Sequence, residues 1–205
     1  MVSEETIAKS NFVVELYRDN NSTNPREWDN AGTMICWHDR YRLGDSDSRK
    51  LPLVFDSPSE FKAWWKTNSK GGVILPLYLY DHSGLTISTD NGHYPFTDRW
   101  DSGQIGYIYA IKETIIKEWG KTGKLTRTNK TKALRHLQDE VKTYDQYLTG
   151  DVYGYTITDP QGDIIDSCWG FYGFDYAKQE AQTQLDYWIA EYARREIEAQ
   201  RDNVY

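Results

Sequence analysis

Four short stretches of the sequence place a tryptophan beside acidic or small polar residues. They are Trp28-Asp29-Asn30, Trp37-His38-Asp39, Trp100-Asp101-Ser102-Gly103 and Asp166-Ser167-Cys168-Trp169-Gly170. A carboxylate accepts hydrogen bonds and an indole ring offers an apolar floor, which together suit a pocket for a flat, polar ligand. The structural alternative stays open, because Asp, Ser and Gly are common in turns and tryptophan is common in protein cores.

Histidine and aspartate recur in the same part of the chain, where they suggest metal binding or acid-base chemistry. The residues concerned are His38, His82 and His93, with Asp39, Asp81, Asp98 and Asp101. No HExxH pair or CxxC spacing sets a coordination geometry, so we expect neither a metal nor a cofactor. Asp81-His82 would suit an acid or base in a hydrolase. Since G-x-S-x-G and a glycine-rich phosphate loop are absent, we favour a non-catalytic role and leave catalysis open.

The candidate binding residues come from the four tryptophan stretches, from Asp81-His82 and from one arginine. Arginine belongs among them because a guanidinium pairs with a phosphate or carboxylate through parallel hydrogen bonds. The candidate set is Arg26, Trp28, Asp29, Trp37, His38, Asp81, His82, Trp100, Asp101, Asp166 and Trp169.

The composition is that of a foldable, acidic chain rich in aromatic residues. The 205 residues include 24 Lys and Arg against 31 Asp and Glu, which gives a formal net charge of -7. This charge argues against a surface that binds nucleic acid mainly by neutralising phosphates. The 16 Tyr, 8 Trp and 6 Phe are more rings than one core of this size needs. We therefore expect some of them to face a partner.

The N-terminal segment and the apolar runs indicate a cytoplasmic protein. No cationic start is followed by an apolar run, and no stretch approaches the roughly 18 apolar residues that a membrane helix needs. No membrane association is therefore expected. Cys36 and Cys168 are expected to be buried, reduced thiols.

Hydrophobic spacing and turn residues predict three helices among several short strands. Ser57-Pro58-Ser59-Glu60 has the form of a capping box, in which Ser57 accepts from the amide of Glu60. Pro76 predicts that its strand is at an edge or carries a bulge. The predicted strands cover 11–17, 33–41, 73–80, 85–89, 104–111, 152–158 and 163–167, and the predicted helices cover 57–70, 131–148 and 176–200.

The order of these elements predicts an α+β fold. The chain lacks the regular strand-helix alternation of a doubly wound fold. We therefore expect an antiparallel or mixed sheet with about three helices packed on one side. The length favours a single domain over 1–205, with a long C-terminal helix at about 175–200.

Several longer strings resemble a widespread family of small proteins of tailed bacteriophages. The resemblance covers most of Pro25 to Gly173 and rests on PREWDNAGTMICWHDRYRLGD, LPLYLYDHSG, WDSGQIGYIY, YDQYLTGDVYGY and DSCWGFYG. It implies a viral, non-structural protein that works in the host bacterial cytoplasm, and it assigns no catalytic residue.

The resemblance and the composition lead to one favoured function and three alternatives. The favoured one is antagonism of host defence by binding a host protein, with aromatic anchors and carboxylates that imitate phosphates. The carboxylates are those of Glu27, Asp29, Asp39, Asp45, Asp47 and Asp101. The alternatives are a sponge for a nucleotide signal, a hydrolase that uses Asp81-His82, and a virion or assembly factor. The sponge would hold phosphate near Arg26, Arg40, Arg42 and Arg99.

Overall fold

The chain forms two compact units, each with its own sheet and core. The computed structural model describes residues 2–45, 55–89, 93–120 and 123–202. Residues Asn24–Thr149 form the central unit, and Met1–Thr23 with Gly150–Tyr205 form the terminal unit. The single-domain organisation over 1–205 stays a prediction.

The terminal unit is a four-stranded antiparallel sheet with a long helix on one face. Its elements are β1 (Glu5–Lys9), β2 (Phe12–Arg18), β7 (Val152–Thr158), β8 (Ile164–Tyr172) and α4 (Phe174–Asp202). The strand order is β1-β2-β7-β8. Alternate residues such as Leu16 and Ile157 point toward α4, where Ala181 and Leu185 complete a buried core. One sheet face is therefore committed to packing against α4.

The central unit is a second antiparallel sheet, covered by helices on both faces. Its elements are β3 (Thr33–Cys36), α1 (Pro58–Asn68), β4 (Val73–Asp81), β5 (Leu85–Thr89), β6 (Ser102–Ala110), α2 (Lys112–Trp119) and α3 (Arg127–Thr149). The strand order is β3-β6-β4-β5. Leu77, Ile108 and Leu137 belong to the core between the sheet and α3. Phe61 and Tyr109 belong to an aromatic core between the sheet and α1.

The α+β class with antiparallel sheets is confirmed. The strands form two sheets, and the described residues contain four α-helices rather than about three, since α2 was not predicted. Ser57 caps the helix as expected, because its Oγ accepts from Glu60 N at 3.2 Å. Glu60 Oε2 reaches back to Asp56 N, one residue before the cap, at 2.8 Å. In β4, Pro76 lies just before the register shift at Leu77, so this interior strand is bulged.

Two further expectations concern burial and membranes. The expectation of two buried thiols is wrong for Cys168, which is exposed on β8, whereas Cys36 is partly buried at the end of β3. In the described part of the chain, no helix combines the length and the apolar character needed to cross a bilayer.

Candidate functional site

Three chain segments that carry candidate residues meet at one end of the central sheet. In the antiparallel register, Cys36 at the end of β3 pairs with Gly106, and Tyr80 near the end of β4 pairs with Ser102 at the start of β6. Because antiparallel neighbours run in opposite directions, β3 and β4 end at the edge where β6 begins. The segments after β3, after β4 and before β6 are therefore adjacent in space.

A cavity of about 240 Å³ lies where these segments meet. Four candidate residues line it, namely His38, Asp81, Trp100 and Asp101, and a fifth, His82, is bonded to Asp101. With Arg40, these residues form what we call the strand-end site. The remaining cavity wall comes from Leu79, Ser102, Gly103 and Ile105.

One ion pair and one histidine–carboxylate hydrogen bond frame the strand-end site. Arg40 Nη2 lies 2.5 Å from Asp81 Oδ2, and His82 Nδ1 lies 2.9 Å from Asp101 Oδ2. The side chains of Arg40 and His82 are 69% and 61% exposed, and those of their partners Asp81 and Asp101 are 20% and 42% exposed. Exposed pairs of this kind contribute only about 0.2 to 1 kcal/mol to folding. The fold therefore depends little on these two contacts, and their polar groups can be used to bind a partner.

His38 is held in one orientation by the backbone that follows it. Its Nδ1 accepts hydrogen bonds from the amides of Arg40 and Tyr41, both at 3.2 Å, and its ring stacks on Tyr41. A nitrogen that accepts two N–H donors carries no proton, so the neutral ring has its proton on Nε2. His38 therefore adds a hydrogen-bond donor to the site.

Trp100 is the most exposed large side chain of the site. Trp100 is 97% exposed. The backbone beneath it is nevertheless held, because Trp100 N donates to Asp98 Oδ1 at 2.8 Å and Asp81 N donates to the Asp101 carbonyl at 2.8 Å. Ser102 Oγ also donates to the carbonyl of Asp98. These bonds order the backbone of the turn, and the indole ring extends from it into solvent.

Arg26 has a structural position inside the central unit. It is 4% exposed, and its Nε and Nη2 donate to the two carboxylate oxygens of Asp45 at 2.7 and 3.0 Å. Nη1 donates to Glu140 Oε2 at 2.8 Å, and Nη2 also donates to the Gly32 carbonyl at 2.7 Å. Burial alone would lower the pKa of Arg26, but the hydrogen bonds and charges of Asp45 and Glu140 raise it. We call this group the Arg26 clamp.

Trp28 and Asp29 line a second cavity of about 240 Å³ on the surface of the central unit. Glu140 forms part of its wall, and His136 Nε2 lies 3.2 Å from Glu140 Oε1. Trp28 is 44% exposed. This cavity is lined by a different set of residues from the strand-end site, so the candidate set divides between two places in this unit.

The remaining candidates are separate from both cavities. Trp37 is part of the aromatic core, where its Nε1 donates to the Phe55 carbonyl at 2.9 Å. In the terminal unit, Asp166 Oδ2 accepts from Trp188 Nε1 of α4 at 3.0 Å. Trp169 is 42% exposed on β8. Trp37 thus packs in a core and Asp166 hydrogen-bonds α4, so both have structural contacts that their residue types alone do not reveal.

Sequence reasoning missed two residues that shape these places. Glu140 completes the Arg26 clamp from α3, and Tyr94 hydrogen-bonds Ser102 Oγ at 2.8 Å beside Trp100. A buried glutamate on the apolar face of a helix is a usable signal, because such a charge is rarely buried without a partner. Within the described residues, no group of three or more His, Cys, Asp or Glu side chains is arranged to hold a metal.

Comparison with known proteins identifies no relative. The chain matches no protein-family model, no curated protein and no solved structure.

Proposed function

We propose that this protein is a phage-encoded binding protein that antagonises a host defence system in the bacterial cytoplasm, and that it contacts its host protein target through the strand-end site. The observation that carries the proposal is Trp100, which is 97% exposed on a turn whose backbone is hydrogen-bonded. Tryptophan is enriched among the few interface residues that dominate binding energy. The backbone that carries the ring is already ordered, so binding does not have to order the turn.

The charges around Trp100 suit a protein surface. The Arg40–Asp81 and His82–Asp101 pairs place both signs of charge around the exposed ring. Charged and polar groups at an interface rim select a complementary partner and set its orientation. A central aromatic anchor with a charged rim is the usual anatomy of a protein-protein contact.

The same geometry favours a protein over a nucleotide. The cavity of about 240 Å³ is below the roughly 300 to 1,000 Å³ typical of small-molecule sites. Arg40 is already bonded to Asp81, and the carboxylates of Asp81 and Asp101 would repel a phosphate. The nucleotide sponge is therefore the second candidate, and it is tested in the same experiment.

Imitation of nucleic acid by carboxylates is an additional feature of the proposal. Glu27, Asp29, Asp39 and Asp101 are exposed and can meet a basic partner surface. Asp45 is used inside the fold by the Arg26 clamp. Asp47 lies outside the described residues.

The test is capture from a lysate of the bacterial host with three tagged proteins: wild type, Trp100→Ala and Tyr187→Ala. Tyr187 is 57% exposed on α4 and serves as the matched control for loss of an exposed aromatic ring. Both substitutions should change the free energy of unfolding by no more than about 0.5 kcal/mol. A host protein should be retained by wild type and Tyr187→Ala and lost from Trp100→Ala, with an affinity at least about 30-fold weaker for the purified partner.

Two results would contradict the proposal. A host partner retained equally by Trp100→Ala would show that binding uses another surface. A nucleotide released by heating the captured wild-type protein, with no protein partner present, would favour the sponge.

A further inference from the structure

The sheet face of the terminal unit opposite α4 carries two rows of side chains with different chemistry. Strand pairing aligns Tyr17, Gly154 and Trp169 across β2, β7 and β8. The neighbouring row, two residues away along each strand, aligns Thr6, Glu15, Thr156 and Ser167. The rows are about 7 Å apart, because a strand rises about 3.3 Å per residue.

The first row is an aromatic platform. A β-carbon added to Gly154 would lie 2.2 Å from Cε3 and 2.3 Å from Cδ2 of Trp169, so the indole ring rests directly on the glycine backbone. Tyr17 stacks beside it, with ring centroids 6.1 Å apart and planes inclined by 24°. Trp169 is 42% exposed. Two nearly parallel rings therefore lie on the sheet with one of them open to solvent.

The second row is polar and nearly uncharged. It offers three hydroxyl groups, from Thr6, Thr156 and Ser167, and one carboxylate, from Glu15. Glu15 is the one charged residue in the two rows, all of whose members lie in the described part of the chain. Hydroxyls both donate and accept hydrogen bonds, and a carboxylate accepts them.

We propose that this face binds a neutral carbohydrate chain, with a sugar ring stacked on Trp169 and its hydroxyl groups bonded to the polar row. The C–H groups on one side of a pyranose form a flat apolar surface. This surface packs on the face of an aromatic ring, which carries partial negative charge. The edge of the pyranose bears hydroxyls that need both donors and acceptors. Thr156 and Glu15 also hydrogen-bond the Tyr17 hydroxyl. Their remaining hydrogen-bonding capacity, with the other hydroxyls of the polar row, meets that need. The proposed site is separate in its residues from the strand-end site, and it goes beyond the proposed function.

Charge distinguishes a sugar from a nucleic acid here. Bases also stack on aromatic side chains, but single-stranded nucleic acid binding combines stacking with a positively charged groove. The two rows contain no Lys or Arg among their described members, and the chain has a net charge of -7. A phosphate would meet Glu15 rather than a cation, whereas a neutral sugar meets only hydrogen-bonding groups.

The test is isothermal titration of the full chain with neutral hexasaccharides of α-1,4-linked glucose, β-1,4-linked glucose and β-1,4-linked N-acetylglucosamine, and with oligothymidylate. At least one hexasaccharide should bind wild type and the control Tyr187→Ala equally. Trp169→Ala should bind it at least about tenfold more weakly, because one stacking contact is worth about that factor. Trp169→Tyr should retain most of the affinity because it keeps a ring, and circular dichroism should show that both variants keep the wild-type fold.

Glu15→Gln distinguishes the kinds of ligand. It keeps an acceptor and removes the charge, so sugar affinity should change by less than about threefold. The proposal is overturned if none of the hexasaccharides binds, if Trp169→Ala binds as well as Trp169→Tyr, or if oligothymidylate binds more tightly than every sugar and gains affinity in Glu15→Gln.

Discussion

Arg26 and Arg40 each pair with an aspartate, and the contrast in their burial predicts very different losses of stability when they are replaced. The perturbation we consider is Arg26→Met, with Arg40→Met as the matched control. Arg26 is buried with side-chain exposure of 2%, whereas the Arg40 side chain is 69% exposed. Methionine keeps part of the aliphatic volume of arginine, so the comparison mainly removes the charge and its hydrogen bonds.

The structure sets the magnitude of each effect. Without Arg26, the carboxylates of Asp45 and Glu140 stay buried at 11% and 7% exposure without the cation that both share. Removing one partner of a buried pair costs about 3 to 5 kcal/mol, because an uncompensated charge is left in the protein. Removing Arg40 breaks a pair in which Arg40 is exposed and Asp81 keeps 20% exposure, so the carboxylate stays in contact with water and the cost is about 1 kcal/mol. Arg26→Met should therefore be destabilising by at least about 2 kcal/mol more than Arg40→Met.

The assay is urea denaturation followed by tryptophan fluorescence. Six of the eight tryptophans lie in the central unit, so the signal reports mainly on the unit that contains both arginines. Glu140→Gln gives a second measurement if Arg26→Met fails to fold, since it keeps the Arg26–Asp45 pair and should cost about 1 to 3 kcal/mol. Equal unfolding free energies for Arg26→Met and Arg40→Met would refute the reasoning.

Further predictions concern glycine, a helix cap and a thiol. Gly106→Ala should lower the free energy of unfolding by about 1 to 3 kcal/mol, because its β-carbon would lie 2.0 Å from the Ile35 carbonyl. Gly103→Ala, with nothing within 4 Å, should stay within about 0.5 kcal/mol of wild type in the same urea titration. Ser57→Ala should cost about 0.5 to 2 kcal/mol, measured likewise, because the Glu60 amide loses its acceptor. Burial raises the pKa of Cys36 to about 12, so Cys36 should contribute about 1.4 kcal/mol to the fall in unfolding free energy between about pH 8 and pH 10, and the fall should be smaller by that amount in Cys36→Ala. Parallel pH profiles for wild type and Cys36→Ala would contradict the last prediction.

Local sequence signals were sufficient for the elements that carry strong caps or strong periodicity. The capping box at Ser57 predicts α1, and apolar residues at alternating spacings of three and four predict α3. Those apolar residues are Leu134, Leu137, Val141, Tyr144 and Leu148. Both signals act within one or two turns of helix, so they are readable without knowledge of the fold. Gly150 adopts a φ of +69° immediately after α3, as a residue that ends a helix often does.

The two missed elements lack such signals. α2 follows β6 almost directly and has only eight residues, and its N-cap position, Ile111, makes no side-chain cap hydrogen bond. β1 (Glu5–Lys9) is a polar edge strand whose place depends on pairing with β2. Both therefore depend on tertiary contacts, which outweigh the weak local preferences of such short segments.

The strand-end site could be predicted residue by residue but not as an assembly. The chemistry of their side chains selects His38, Asp81 and Asp101, yet His38 follows β3, Asp81 is the last residue of β4 and Asp101 precedes β6. The strand order β3-β6-β4-β5 places a later strand between two earlier ones. Such an order is not encoded in any local spacing, so the meeting of the three segments had to come from the structure.

The same limit explains why residue type alone misjudges function in one stretch of this chain. Arg26 and Arg40 belong to one string, PREWDNAGTMICWHDRYRLGD, and both suggest an anion site. The structure gives Arg26 four hydrogen bonds to Asp45, Glu140 and Gly32 inside the central unit, whereas Arg40 pairs once at an exposed edge. A buried arginine whose hydrogen bonds all go to residues of its own unit holds chain segments together. The guanidinium of an exposed arginine can also reach a partner. Arg26 holds Asp45, and the stretch between these two residues carries His38 and Arg40 to the strand-end site, so in the proposed binding the role of Arg26 is to position other residues.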